Sequence, residues 1–251
     1  MLSIMRGLSE KGHNIHCITS GWSDGVFKKK MKELNISHST SKLGFIYLSN
    51  LLWTLDTLLH YPSAVIHHFR VASKLKAEFV YHNYYRSVLM LGLFIPSRKN
   101  ILHIGDVITN NLRNRLIFKF VEMKCNMIIA SSNYIKGNLL SLGISDSKIR
   151  VVLNGVETPS KINKLASKKI RFGIVGQVIP RKGHAELVSA FKLLCREMGL
   201  NDSSTECNIY GDGDQVFIAY LRNQIEQSNL ASIFSFKGFV SDKSKIYENL
   251  D

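Results

Sequence analysis

Cysteine pairing is absent from this sequence. Its four cysteines, Cys17, Cys125, Cys195 and Cys207, lie far apart in apolar runs and include no C-x-x-C pair. That argues against a disulfide framework or a thiolate zinc site and describes free thiols buried in a reducing compartment. The histidines, His67 and His68 included, show no ligand spacing for zinc, so no metal is expected. No apolar run approaches the roughly 18 residues that span a bilayer. The longest, residues 88–95, has the length of a core element. Arg6, Glu10 and Lys11 interrupt the opening apolar residues too early for a secretory signal, so the expected compartment is the cytoplasm. Short fixed-period repeats and low-complexity tracts are also missing.

Negative charge is the other shortage. The chain holds 19 Asp and Glu against 33 Lys and Arg, a net charge of +14. Residues 1–157 carry 20 basic and 9 acidic side chains, a net +11, which leaves +3 for residues 158–251. Such a surface attracts nucleic acid, anionic lipid or an acidic acceptor. No zinc-finger, RNA-recognition or helix-turn-helix pattern accompanies it, so nucleic acid is not an expected partner. Peripheral contact with an anionic membrane stays open. The run NRLIFKF, residues 114–120, mixes Arg and Lys with Leu, Ile and Phe in a predicted helix. The same pattern equally describes a helix with a solvated basic face and a buried apolar one.

What is present is a βα rhythm. At 251 residues and 45% apolar, the chain makes one large globular domain or two small ones. Residues 2–8 read as an amphipathic helix carrying Leu2, Met5 and Leu8, stopped by Gly12, and residues 15–19 as a strand. After a loop at residues 21–24, VFKKKMKEL reads as a basic helix or a solvated turn. Residues 51–59 and 64–75 read as two helices either side of Pro62. Short apolar runs at 79–82, 100–104, 127–130 and 149–153 alternate with helix-length segments, which predicts parallel sheets with helices on both faces. Asn154-Gly155 and the breaking run Thr158-Pro159-Ser160-Lys161 read as a hinge. A second βα series starts at Ile170.

The segment IRFGIVGQVIPRKG, residues 170–183, is the most informative. A strand of Ile170, Phe172, Ile174 and Val175 runs into Gly176, a short turn, the basic pair Arg181-Lys182 and Gly183, and then a helix with Leu187, Phe191, Leu194, Cys195 and Met198 at helical spacing. Phosphate recognition needs this order: bare backbone N–H groups, no Cβ in the way, and cations at a helix entrance. Downstream, NIYGDGD and FKGFVSD place Gly211, Gly213 and the Gly238-Phe239-Val240 turn after two further strands.

The four segments 132–157, 170–183, 208–214 and 236–242 resemble, in order and spacing, the GT-B fold glycosyltransferases of family 4. Upstream the likeness is looser and rests on SEKGHNIHCITSG and ILHIGD. The resemblance implies two Rossmann-like, doubly wound parallel-sheet domains, both incomplete: residues 1–157 on the acceptor side, without the family's opening strand and glycine turn, and residues 158–251 for the nucleotide sugar. The family's paired-glutamate motif is expected beyond Asp251. The implied activity is transfer of a sugar from a nucleotide-diphosphate sugar to a glycan or lipid-linked acceptor, retaining and without a cofactor, in assembly of surface polysaccharide or glycoconjugate. It also implies that Gly176, Gln177, Arg181, Lys182 and Gly183 hold the donor phosphates. Gly211, Gly213, Phe239 and Val240 would shape the nucleotide pocket, and His103 would face the donor sugar. The family commonly has Arg where this chain has Gln177, so either Arg181 takes over that charge or the phosphate site is weaker. Two alternatives stand beside this reading: a remnant that only binds nucleotide or scaffolds a partner, and an epimerase or phosphorylase of the same fold.

Overall fold

Short apolar runs separated by helix-length segments become parallel strands joined by crossover helices, because parallel neighbours must be connected from end to end. The structure is a computed structural model describing residues 1–23, 25–45, 50–95, 99–155 and 167–251. Two compact units divide the chain, Met1–Gly155 and Val156–Asp251. The expected hinge at residues 158–161 and the expected domain boundary after residue 157 lie outside the described residues.

In the first unit, α1 (Leu2–Glu10), β1 (His16–Ser20), α2 (Val26–Glu33) and β2 (Ser37–Ser41) form a parallel two-stranded sheet with a small core of Met5, Met31 and Ile36. The long α3 (Leu51–Lys74) leads to β3 (Phe79–His82), α4 (Tyr85–Leu91), β4 (Lys99–Ile104), α5 (Leu112–Lys124), β5 (Met127–Ala130), α6 (Asn133–Ser141) and β6 (Ile149–Val151). These four strands make a parallel sheet in the order β3-β4-β5-β6. Its core holds Val88, Leu102, Phe118, Val121, Ile128 and Leu139.

Two elements differ from the sequence pattern, and a third, α5, combines the two readings that the pattern left open. Pro62 does not divide two helices but sits inside α3. Residues on both sides of it are buried, Thr57 and Ala64, and the neighbouring Tyr61 hydroxyl donates to the Met90 carbonyl at 2.6 Å, so packing outweighs the missing amide. The strand β2 has no apolar signal, since its sequence is SHSTS. It forms by pairing with β1 in register from His16–Ser37 to Ser20–Ser41, while the His16 ring bridges the Ser37 and Ser39 hydroxyls at 2.9 Å each. In α5, Phe118 and Val121 turn into the core, while Leu112, Leu116 and Met123 stay exposed beside Arg113, Arg115 and Lys119.

The second unit contains β7 (Ile170–Val175), α7 (His184–Met198), β8 (Thr205–Tyr210), α8 (Gln215–Gln227), β9 (Phe234–Gly238) and α9 (Lys243–Tyr247), with parallel order β7-β8-β9. Phe191 of α7 makes edge contacts with Phe172 at 5.2 Å and Phe234 at 5.0 Å, which lock the helix onto the sheet. Among the described residues, no helix is long and apolar enough to cross a membrane.

Candidate functional site

Three loops converge at the carboxyl edge of β7-β8-β9, the edge where open parallel sheets take ligands. Backbone hydrogen bonds stitch them together. The Gly176 amide donates to the Tyr210 carbonyl at 2.9 Å, the Val178 amide to Asp212 at 3.0 Å, and the Gly211 amide to Gly238 at 2.8 Å. Val178, which is fully buried, anchors the middle and also accepts from the Asp214 amide at 3.2 Å. Gly211 and Gly213 are spacers required by this closeness. A Cβ on Gly211 would lie 1.9 Å from the Gly176 oxygen, and one on Gly213 would lie 2.3 Å from the Val178 oxygen.

Arg181 and Lys182 occupy a single 3-10 turn, Pro180–Lys182, and Gly183 follows in the left-handed region at φ 81°. Both cationic side chains are exposed. Among the described residues neither they nor Gln177 has a side-chain partner. The adjoining end of α7 is bare. Asn50, Asn111, Ser132 and Asp214 cap α3, α5, α6 and α8 with side-chain acceptors, whereas Gly183 offers α7 none, as is also the case at the starts of α1, α2 and α4. The amides of His184, Ala185 and Glu186 therefore have no acceptor within the described chain, since the next donor, Leu187, bonds the Gly183 carbonyl at 3.0 Å. A positive helix end, three free N–H groups and two unpaired cations make a binding point for an anion. Phe239, next to Gly238, is 78% exposed and presents an open aromatic face, with the half-buried Val240 behind it in sequence.

In the first unit, His103 stands one residue before the end of β4 and lines a small open concavity of about 30 Å³ with Asn83, Tyr84, Gly105 and Asp106. Its Nδ1 hydrogen-bonds the Tyr81 hydroxyl, and burial pushes its pKa down. His82 is a core residue instead. It is buried, and its ring nitrogens bond Ser87 Oγ at 2.8 Å and Asn100 Oδ1 at 3.3 Å.

Sequence reading missed three residues of these sites: Val178, Tyr81 and His184. Tyr81 was legible only through register, since it pairs with Ile101 and thereby shares a face with His103 two positions on. His184, at the start of α7, is 1% exposed with neither ring nitrogen partnered. No group of His, Cys, Asp and Glu among the described residues is arranged to hold a metal ion.

Burial also lowers the pKa of His16, His68, His82 and His184, as it does that of His103, from the ordinary 6.5. An unfolded chain therefore takes up protons first as the solution acidifies, so stability is whole above pH 6.5 and drains away as pH falls through that value toward the lower folded-state pKa values. We expect a lower midpoint of thermal unfolding at about pH 5.5 than at about pH 7.5. The variant His184→Leu, which removes a buried imidazole without partners, should unfold at higher temperature and show a smaller drop.

Comparison with known proteins gives two family matches. The model described as Glycosyltransferase Family 4 matches residues 1–159, and the one described as Glycosyl transferases group 1 matches residues 156–251. No curated protein matches the sequence. Among solved structures, a glycosyltransferase from Rickettsia africae ESF-5 is similar at TM-score 0.75 and 19% identity, covering 100% of this chain and 66% of its own. Anabaena Alr3699/HepE in complex with UDP is similar at TM-score 0.75 and 16% identity, with coverage of 100% and 67%. A TarM variant from S. aureus in complex with Fondaparinux, alpha-GlcNAc-glycerol and UDP reaches TM-score 0.56 at 15% identity over 74% of this chain and 39% of its own. The chain thus spans about two thirds of the length of the first two.

Proposed function

Because the chain belongs to the glycosyltransferases, with a Family 4 segment followed by a group 1 segment, we propose that it transfers a sugar from a nucleotide-diphosphate sugar to a glycan or lipid-linked acceptor. The observation that carries this reading is the uncapped end of α7 beside the unpaired Arg181 and Lys182.

Breaking the bond between the anomeric carbon and the diphosphate builds negative charge on the leaving phosphate. Groups that meet this charge bind the transition state more tightly than the ground state. Lys182 supplies the principal cation. Arg181 replaces the charge missing at Gln177, whose amide donates only a neutral hydrogen bond. The amides of residues 184–186 receive phosphate oxygens, and Gly176 and Gly183 keep the approach free of side chains: the space where their Cβ atoms would sit is open. Phe239 and Val240 face the nucleobase, Gly211 and Gly213 hold the loops at their spacing, and His103 serves the donor sugar, as the family resemblance implies. The nucleotide complexes of similar structures support a uridine nucleotide as the first donor to try.

The family reading further supports retention of anomeric configuration and independence from cofactors, the basic first half supports a role in surface polysaccharide or glycoconjugate assembly, and a cytoplasmic place is part of the same proposal. For a lipid-linked acceptor, two surfaces suit anionic lipid: α5, with Leu112, Leu116 and Met123 exposed beside Arg113, Arg115 and Lys119, and α3. Leu51, Leu52, Leu55 and Leu59 on α3 are all exposed, in a unit rich in Lys and Arg.

Calorimetric titration of the full chain with UDP, GDP and ADP tests the reading, followed by an assay for nucleoside diphosphate released from the corresponding sugar nucleotides. Saturable binding of one nucleotide and acceptor-dependent release support it. Absence of binding to all three refutes it.

A further inference from the structure

We infer that Tyr81 is a positioning residue that holds His103 with its ring proton on Nε2, so that the concavity at the ends of β3 and β4 offers its ligand a hydrogen-bond donor rather than a base. The register that pairs Tyr81 with Ile101 places Tyr81 and His103 on one face of adjacent strands. Their rings meet edge to face with centroids 6.0 Å apart at 79°, and the Tyr81 Oη to His103 Nδ1 hydrogen bond closes the pair. Among the described residues this is the only polar contact of either group, so Nε2 is the ring atom left for a ligand.

The direction of that bond follows from what each group carries. Burial raises the Tyr81 pKa, so the phenol keeps its proton and has one to donate. Burial lowers the His103 pKa, so the imidazole is neutral near pH 7 and one nitrogen holds a lone pair. With the lone pair on Nδ1, the phenol proton has its acceptor. With a proton on Nδ1, the phenol oxygen accepts and its own O–H is left without a protein partner in a half-buried place. The first arrangement satisfies both groups, and the second strands a donor.

The consequence is a defined chemistry for the concavity. An N–H donor at His103 lies in the same lining as the Asp106 carboxylate, an acceptor, and the Asn83 amide, which is both. That set matches a ligand whose neighbouring oxygens both accept and donate, as the hydroxyl groups of a sugar ring do. Identifying the ligand as a sugar rests on the transferase reading. The tautomer does not.

Long-range proton–nitrogen NMR of the uniformly 15N-labelled full chain decides it, with the His103 signals identified by their loss in His103→Gln. We expect a pyridine-like Nδ1 and a pyrrole-like Nε2. In Tyr81→Phe both nitrogens should move toward the averaged positions of mixed tautomers. Where a transferase assay is in hand, kcat should fall by more than KM rises. A pyrrole-like Nδ1 in the parent protein, or an unmoved pattern in Tyr81→Phe, overturns the inference. Should Tyr81→Phe fail to fold, incorporation of 3-fluorotyrosine gives a stronger phenolic donor in the same shape. A further shift of Nδ1 then supports the assignment and a static signal overturns it. Loss of sugar transfer with the tautomer intact would count against the transferase reading alone.

Discussion

Replacing Gly211 with alanine is expected to destabilise the second unit by about 3 kcal/mol or more and to abolish its nucleotide binding. The new Cβ would sit 1.9 Å from the Gly176 oxygen and 2.8 Å from its carbonyl carbon, so it meets backbone on a strand end that cannot rotate away. Relief requires the residue 176–178 turn to lift, which breaks the hydrogen bonds from the Gly176 amide to Tyr210 and from the Val178 amide to Asp212. The same lift would carry the turn away from the free end of α7. Backbone at Gly211 adds a second penalty, because its φ of 143° is rarely adopted by a residue with a side chain. Differential scanning calorimetry and a UDP titration read the two effects together. An alanine variant with unchanged midpoint and unchanged affinity would show that the loops are not packed as described.

Lys182→Ala should leave the fold intact and weaken UDP binding by about 10- to 100-fold. The side chain is exposed and unpartnered, so its removal costs the folded state little. Against a bound diphosphate it matters far more. A cation about 4 Å from a unit negative charge is worth on the order of 4 kcal/mol at an effective dielectric near 20, before desolvation and side-chain ordering reduce it. Hydrogen bonds to charged groups retain roughly 1.5 to 3 kcal/mol after that reduction, which gives the stated range at 1.4 kcal/mol per tenfold. Arg181→Ala should behave similarly but less strongly if Lys182 leads, and Gln177→Arg should raise affinity by returning a cation to the turn. Added salt should shrink these differences, since the groups are solvent-facing. Identical affinities for Lys182→Ala and the parent would remove the phosphates from this turn.

Much of this architecture was readable from residue order, and the reasons are local. Parallel strands covered by helices appear as short apolar runs, so β3, β5 and β7 stand where the pattern puts them, and α7 ends at Gly199 in the left-handed conformation that glycine favours. Asp242 caps α9 through the Ser244 amide at 3.0 Å, a contact two residues apart. β2 was hidden because SHSTS has no apolar period and is held by partners on β1. The continuity of α3 was hidden because proline's local cost is overruled by burial on either side of it.

The sequence by itself determined the family, the βα series and the chemistry available at the phosphate turn, since these depend on residue type and spacing along one segment. Tertiary structure alone decided that Gly211 and Gly213 are spacers against a neighbouring loop, that α7 begins uncapped, that His82 is spent on Ser87 and Asn100, and that Tyr81 reaches His103. Apart from the bare end of α7, each of these is a contact between separate elements of the fold. Its existence depends on register and on distances of a few ångströms, and the order of residues along one segment does not carry that information.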